Sequence, residues 1–296
     1  MSFIEVLREG ALTTCQDGGR PGYAHLGVPA SGAADRASWK LANQLAGNAT
    51  DLCVLETTLN GCTVRTDRTV AAVVGGAPCP VTVNRQPQPW GQPLTLHPGD
   101  VLDVGVPERG VRSYVAFSGG LFPRKTSLGS HSTCLLSGLG PSPLRSGEKV
   151  PLGPNPFRLP LPTQWPAPWP GIDEDLVMRL YLGPRHDWLT PEAMELLHHG
   201  SWRVSEHSNR IGLRLDGPAV ETAEKGELPS EGVVTGALQI PPSGQPVVFG
   251  ADHPTTGGYP IVGVVDDRGI AAAAQAKPGT KVRFSVIDVP QWAERG

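Results

Sequence analysis

The sequence predicts an all-β fold carrying a few short helices, and three observations lead there. Glycine and proline account for 37 and 31 of 296 residues, well above a combined share of about 12% in average proteins, and both oppose helix interiors. Short β-branched runs, each bounded by Gly, Pro, Asn or Asp, recur through most of the chain, as they do in antiparallel sheets and barrels. Repeat periods and long polar tracts are lacking, so the composition does not point to disorder.

FIEVL opens the chain as a strand. Turn chemistry follows at positions 13–36, TTCQDGGRPGYAHLGVPASGAADR, with five glycines and two prolines. That stretch feeds a helix: Asp35 suits its N-cap, Ala37, Leu41, Ala42 and Leu45 recur at helical spacing, and Gly47-Asn48 stops it. The runs LCVLETT, CTVRT, TVAAVVG, PVTVN, DVLDVG and VRSYVAFSG predict successive strands, so residues 1–150 read as one β module. Proline density then breaks the pattern at 151–171, PLGPNPFRLPLPTQWPAPWPG. Such a segment predicts a semi-rigid extended connector, with Phe157, Trp165 and Trp169 packing along a surface. Residues 172–296 form the second module. It opens with the strand LVMRLYLG and the helix TPEAMELLHHG, capped by Thr190, with Pro191 in its first turn and Gly200 at its end. The strands SWRVS, IGLRLDG, GALQI, PVVFG and IVGVV come next, then an alanine-rich helix near 268–276 and the strand KVRFSVI.

Composition excludes several functions. A net charge of -3 without a Lys/Arg cluster gives no footprint for nucleic acid, and no apolar run is long enough to span a bilayer. MSFIEVLREG lacks the apolar core of a signal peptide. Cys15, Cys53, Cys62, Cys79 and Cys134 form no C-x-x-C pair and read as reduced thiols of a cytoplasmic protein. The P-loop, the Rossmann glycine fingerprint, G-x-S-x-G and H-E-x-x-H are all missing, and no metal is expected. His198 and His199 are adjacent on a helix, about 100° apart, and so complement its C-terminal dipole rather than share a metal.

Three polar, glycine-rich stretches remain: 13–36, HSNRIGLRLDG (207–217) and PPSGQPVVFGADHPTTGGYP (241–260). Arg20, set among glycines, can grip a carboxylate bidentately or staple its own loop. His25 is a general-base candidate because its pKa lies near neutrality, although loop histidines more often serve local hydrogen bonds. Ser31 can bind a polar ligand, whereas capping suffices to explain Asp35. Cys15 reads as a packed thiol rather than a nucleophile. Arg210 precedes the alternating segment IGLRL. Gln245, Asp252, His253, Thr255, Thr256 and Tyr259 gather in one strand–loop–strand unit. Its TTGG turn offers hydroxyls and backbone N–H groups together, which suits a carboxylate or amide oxygen, with an ordinary hairpin as the alternative.

The stretches TTCQDGGRPGYAHLGVPASGAADR, LANQLAGN, LETTLNG, LGSHST, NRIGLRLDGP and QIPPSGQPVVFGADHPTTGGYP lie between residues 13 and 260, within a similarity that runs from about residue 4 to 287. Together they resemble the carboxyltransferase-type family that takes in allophanate hydrolase subunit 2, KipA and the C-type subunit of 5-oxoprolinase. The resemblance implies two cyclophilin-like β-barrel modules. It also implies a carboxyltransferase-like companion, the B-type subunit of 5-oxoprolinase, and a third, A-type component. Three functions follow from it: ATP-dependent opening of 5-oxo-L-proline to L-glutamate, transfer of a carboxyl group from carboxybiotin to urea or a similar acceptor, and non-catalytic regulation of a partner. With no P-loop, ATP would be used by the complex; with no biotinyl Met-Lys-Met segment, biotin would arrive on a partner. The chain departs from the family pattern at Asn209, commonly Asp, at His131, commonly Arg, and at His253-Pro254, often Arg-Gln. The combined expectation is a small amide or lactam held in a cleft between the modules. Arg20, Ser31, Arg210, Gln245, Thr255 and Thr256 are its binding residues, and Asp252, Tyr259 and His25 its catalytic candidates.

Overall fold

A computed structural model of the chain describes residues 2–154, 169, 172, 175–223 and 228–287. The fold is mostly β, in two compact units: Met1–Gly22 with Ala30–Ile172, and Tyr23–Pro29 with Asp173–Gly296. No helix among the described residues is long and apolar enough to cross a membrane.

The first unit contains β1 (Phe3–Arg8), β2 (Leu12–Gln16), α1 (Arg36–Leu45), β3 (Val54–Thr58), β4 (Thr63–Thr66), β5 (Val70–Gly76), β6 (Val81–Val83), β7 (Gln86–Gln88), β8 (Pro93–Leu96), β9 (Val101–Val104), β10 (Arg112–Phe117) and β11 (Lys149–Pro151). They make two antiparallel sheets, ordered β11-β1-β4-β9-β6-β7 and β2-β3-β10-β5-β8. Single bridges from Leu121 to Cys53 and Leu152 tie the two sheets together at one side. Ile4, Leu55, Val64, Val74, Leu102, Val115 and Phe117 fill the space between them. Strands β5 and β10 are buried throughout, because α1 covers their second face with Trp39, Leu41, Ala42 and Leu45. The cap is Asp35, whose carboxylate accepts from the Ser38 N–H (3.0 Å) and hydroxyl (2.7 Å).

In this unit four strands lie where the sequence predicts none. Strand β2 occupies the start of the turn-rich stretch 13–36 and pairs with β3 from Leu12↔Thr58 to Gln16↔Val54; its β-branched threonines are buried and favour the extended chain. Strands β7, β8 and β11 each contain a proline and each lies at a sheet edge, where a missing N–H breaks no ladder bond. Of the expected connector, residues 155–168, 170 and 171 lie outside the described residues, Phe157 and Trp165 among them. Trp169 packs on the first unit, its ring 5.5 Å from Trp90 and its indole N–H donating to Gly91 O at 3.1 Å.

The second unit contains β12 (Asp175–Leu182), α2 (Pro191–His199), β13 (Trp202–Val204), β14 (Gly212–Asp216), β15 (Glu231–Gly232), β16 (Ala237–Gln239), β17 (Val247–Phe249), β18 (Thr256–Gly257), β19 (Ile261–Val265), α3 (Asp267–Ala273) and β20 (Lys281–Ile287). Seven strands close a barrel in the order β12-β19-β16-β17-β14-β13-β20. Parallel pairing of β12 with β20 seals it, from Asp175↔Lys281 to Tyr181↔Ile287. Strand β12 sends Leu176, Met178 and Leu180 inward and Val177, Arg179 and Tyr181 outward. Thr190 caps α2 and Asp266 caps α3 through side-chain oxygens. Outside the barrel, β15 and β18 form a short ribbon that fixes Thr256 opposite Gly232.

Trp202 anchors the barrel interior: it is buried, 5.5 Å from the Phe284 ring, and donates to Pro218 O at 2.9 Å. Trp202→Ala should cost about 3–5 kcal/mol in urea denaturation. A loss below about 1 kcal/mol would show that the barrel closes without this contact.

Candidate functional site

In the first unit the turn-rich stretch is held by residues more than a hundred positions away. At the end of β2, the Asp17 carboxylate accepts from the Gly19 N–H (2.8 Å), the Ser130 hydroxyl (2.7 Å), the His131 N–H (2.6 Å) and the Ser132 hydroxyl. Its own N–H donates to Ser132 Oγ at 3.0 Å. Segment 130–133 is thus clamped beside β2, with Thr133 N–H on Cys15 O at 2.9 Å. No local pattern marks this clamp, since a carboxylate and two serines are common residues.

Arg20 and Ser31 meet this segment together. The Arg20 guanidinium donates through Nη2 to Ser132 O, and Ser31 Oγ donates to Thr133 O at 3.1 Å. Arg20 N–H closes the loop on Ala30 O at 2.7 Å. Both side chains are buried, Arg20 at 1% exposure. Ser31 holds φ at 55°, between Ala30 and Gly32, and a non-glycine residue in that region stores strain characteristic of functional loops. Gly140 closes the far side: with φ at 79°, a Cβ there would lie 1.9 Å from Ser132 O and 3.0 Å from Arg20 Nη2, so only glycine fits.

A second buried network sets the other end of the loop. Tyr114 donates to Glu56 Oε2 at 2.9 Å and accepts from the Asp35 N–H at 2.7 Å, while Ala34 N–H also reaches Glu56 Oε2 at 2.9 Å. Arg112 lies 3.6 Å from Glu56. Burial, reinforced by Glu56, pushes the Tyr114 phenol well above its usual range, which keeps it a donor. Cys15 is fully buried in the core, as a packed thiol requires.

In the second unit, Arg210 and Asp252 form a bidentate ion pair, Nε–Oδ2 and Nη2–Oδ1 both at 2.9 Å, with both side chains buried. The sequence marks Arg210 for a ligand anion and Asp252 as a catalytic candidate; the structure sets them against each other, the Nε/Nη2 edge of the guanidinium on the two carboxylate oxygens. The pair locks the turn before β14 to the loop after β17, helped by Asp252 N–H on Arg210 O at 3.0 Å. Gln245 is likewise committed: its amide bonds both the N–H and the carbonyl of Gly217, each at 3.0 Å. Thr255 is half-buried, Thr256 is exposed on the β15–β18 ribbon, and Tyr259 is 41% exposed. His25 is exposed on a short 3₁₀ turn, Ala24–Leu26, in the segment that belongs to the second unit.

His253, which the sequence places in the same cluster as Asp252 without a role, is a buried titratable group of the loop. It is 6% exposed, and Nδ1 lies 2.7 Å from Pro254 O. A carbonyl can only accept, so Nδ1 carries the proton and Nε2 keeps its lone pair. Burial lowers its pKa from the usual 6.5, partly offset by Pro254 O and Asp252. The buried imidazole is therefore neutral, while the unfolded chain takes up a proton near 6.5. Stability should fall as pH drops from about 6.5 to the lower folded value and then level off. His253→Gln should flatten that slope in urea unfolding between about pH 7.5 and 5.5; an unchanged slope would contradict the assignment.

The family described as carboxyltransferase domain, subdomain A and B, matches residues 26–286. The chain is 31% identical to the C-type subunit of 5-oxoprolinase from Escherichia coli strain K12, over 95% of this chain and 90% of that protein. It is 32% identical to urea amidolyase of Lachancea kluyveri over 96% of this chain, but spans only 17% of that protein. The crystal structure of TTHA0988 superposes with a TM-score of 0.86 at 33% identity, covering 96% of this chain and 56% of that one.

Proposed function

The chain belongs to the carboxyltransferase-domain family with subdomains A and B, and from that premise we propose that it is the C-type subunit of an ATP-dependent 5-oxoprolinase-type complex. The complex would open 5-oxo-L-proline to L-glutamate, and companions of B and A type would supply the remaining machinery. The observation that carries this reading is the match to the C-type subunit of a 5-oxoprolinase along 90% of that protein's own length.

The residues at hand do not fit a triphosphate. Of the two buried arginines in the candidate loops, Arg210 is neutralised by Asp252, and Arg20 stands alone beside the Asp17 carboxylate clamp. No step on ATP is therefore assigned to this chain. Its contribution is preorganised hydrogen bonding to a carbonyl. The Thr255 and Thr256 hydroxyls and the Tyr259 phenol orient and polarise the lactam oxygen, acting where charge develops. His253 Nε2, unprotonated at neutral pH, accepts a proton from the attacking nucleophile.

The likeness to urea amidolyase favours a second reading, carboxyl transfer from carboxybiotin on a partner to urea. Co-expression with the companion subunits separates the two. The first reading expects ATP-dependent glutamate release from 5-oxoproline that stops when this chain is omitted. Carboxybiotin-dependent carboxylation of urea, without glutamate release, would replace it with the second; neither activity would overturn both.

A further inference from the structure

Two arginines of this chain are buried to the same degree, Arg20 at 1% and Arg210 at 2% exposure, and only Arg210 has a carboxylate on its fork. Taking a guanidinium out of water is costly unless an opposite charge or a full set of acceptors replaces the water. Arg20 has neither among the described residues. Its Nη2 reaches Ser132 O, but Nε and Nη1, three N–H donors, have no acceptor. The nearest acid in sequence, Asp17, makes no ion pair with Arg20 among the described residues: its carboxylate oxygens bond Gly19, Ser130, His131 and Ser132. The same pair of segments carries further unanswered groups, Thr133 Oγ1 and Gln16 Oε1, on side chains at most 1% exposed. Buried polar atoms are satisfied in the great majority of cases, so such a concentration calls for partners from outside the chain.

We infer that the Arg20 guanidinium is the recognition point for a small monocarboxylate. A planar carboxylate can take two N–H groups from one guanidinium edge, as Asp252 does from Nε and Nη2 of Arg210; at Arg20 such an edge joins Nε or Nη1 to the second N–H of Nη2, the first being on Ser132 O. The space is tight, because Gly140 admits no Cβ beside Nη2. A monoanion suits it better than a phosphate dianion, because the Asp17 charge sits on the same clamped segment. The anion enters by a local opening of the turns at Gly19 and at Ser31-Gly32, whose φ angles of 79°, 55° and 101° are all left-handed. The Arg20 site lies within the first unit, and 5-oxoproline is one small monocarboxylate that the reading above would supply to it. Carboxylate recognition at Arg20 rests on that reading only for the source of the ligand.

The purified full chain decides the matter without companions or turnover. The ¹⁵N-labelled protein is titrated at constant ionic strength with acetate, 5-oxoproline, phosphate and urea, following the Arg20 Nε–Hε resonance assigned by through-bond correlation along the Arg20 side chain. The expected result is a saturable shift with acetate and 5-oxoproline, none with urea, and at least a tenfold weaker affinity in Arg20→Lys, which keeps the charge and loses the fork. No shift at about 50 mM, above the millimolar range of a weak specific site, overturns the inference, as does tighter binding of phosphate or an equal response to urea. The wild-type titration stands by itself if the variant does not fold. Turnover by the complex without carboxylate binding here removes this inference and leaves the functional reading; binding without turnover does the reverse.

Discussion

Burying a guanidinium is the constraint around which both units are organised. In the second unit it is met internally: Arg210 and Asp252 share two parallel hydrogen bonds and hold the loop after β17 against the turn before β14. In the first unit it is met only in part, because Arg20 sits against Ser132 O with most of its donors unanswered. A fold can tolerate a buried ion pair at little net cost, but an isolated buried cation draws on stability gained elsewhere. Its retention is an argument for use rather than for structure.

The surroundings of Arg20 show how such a group is kept in place. Asp17 gathers four donors from residue 19 and segment 130–132, and Glu56 with Tyr114 fixes Ala34 and Asp35 at the head of α1. Between these two networks the chain has to pass through Ser31 and Gly32 with left-handed φ. The strain is tolerated because the clamps on either side are satisfied and buried. A rigid scaffold with one incomplete polar centre is the arrangement expected of a binding loop.

Local chemistry made much of the fold legible. Asp35, Thr190 and Gly200 mark helix ends by capping preference, and the β-branched runs between turn residues mark the central strands. The edge strands β7, β8 and β11 escaped because proline counts against a strand except at an edge, and edge position is a property of the assembled sheet. The candidate loops were also visible as glycine-rich polar stretches. The partners inside them were not: Arg210 with Asp252 spans 42 residues and Asp17 with Ser132 spans 115, and neither separation leaves a periodic trace. Gln245 looked like a ligand-binding amide, yet it closes its own backbone onto Gly217. Polar residue type alone does not distinguish a group that waits for a ligand from one already spent.

The comparison of Arg20→Met with Arg210→Met in denaturant, in buffer free of carboxylate, tests the central claim most directly. The account predicts that Arg210→Met loses about 3–5 kcal/mol by stranding the Asp252 charge, whereas Arg20→Met is neutral or stabilising because it removes a cation that the folded chain does not itself compensate. Equal and large losses for the two variants would mean that Arg20 is a structural ion after all, and would contradict the account.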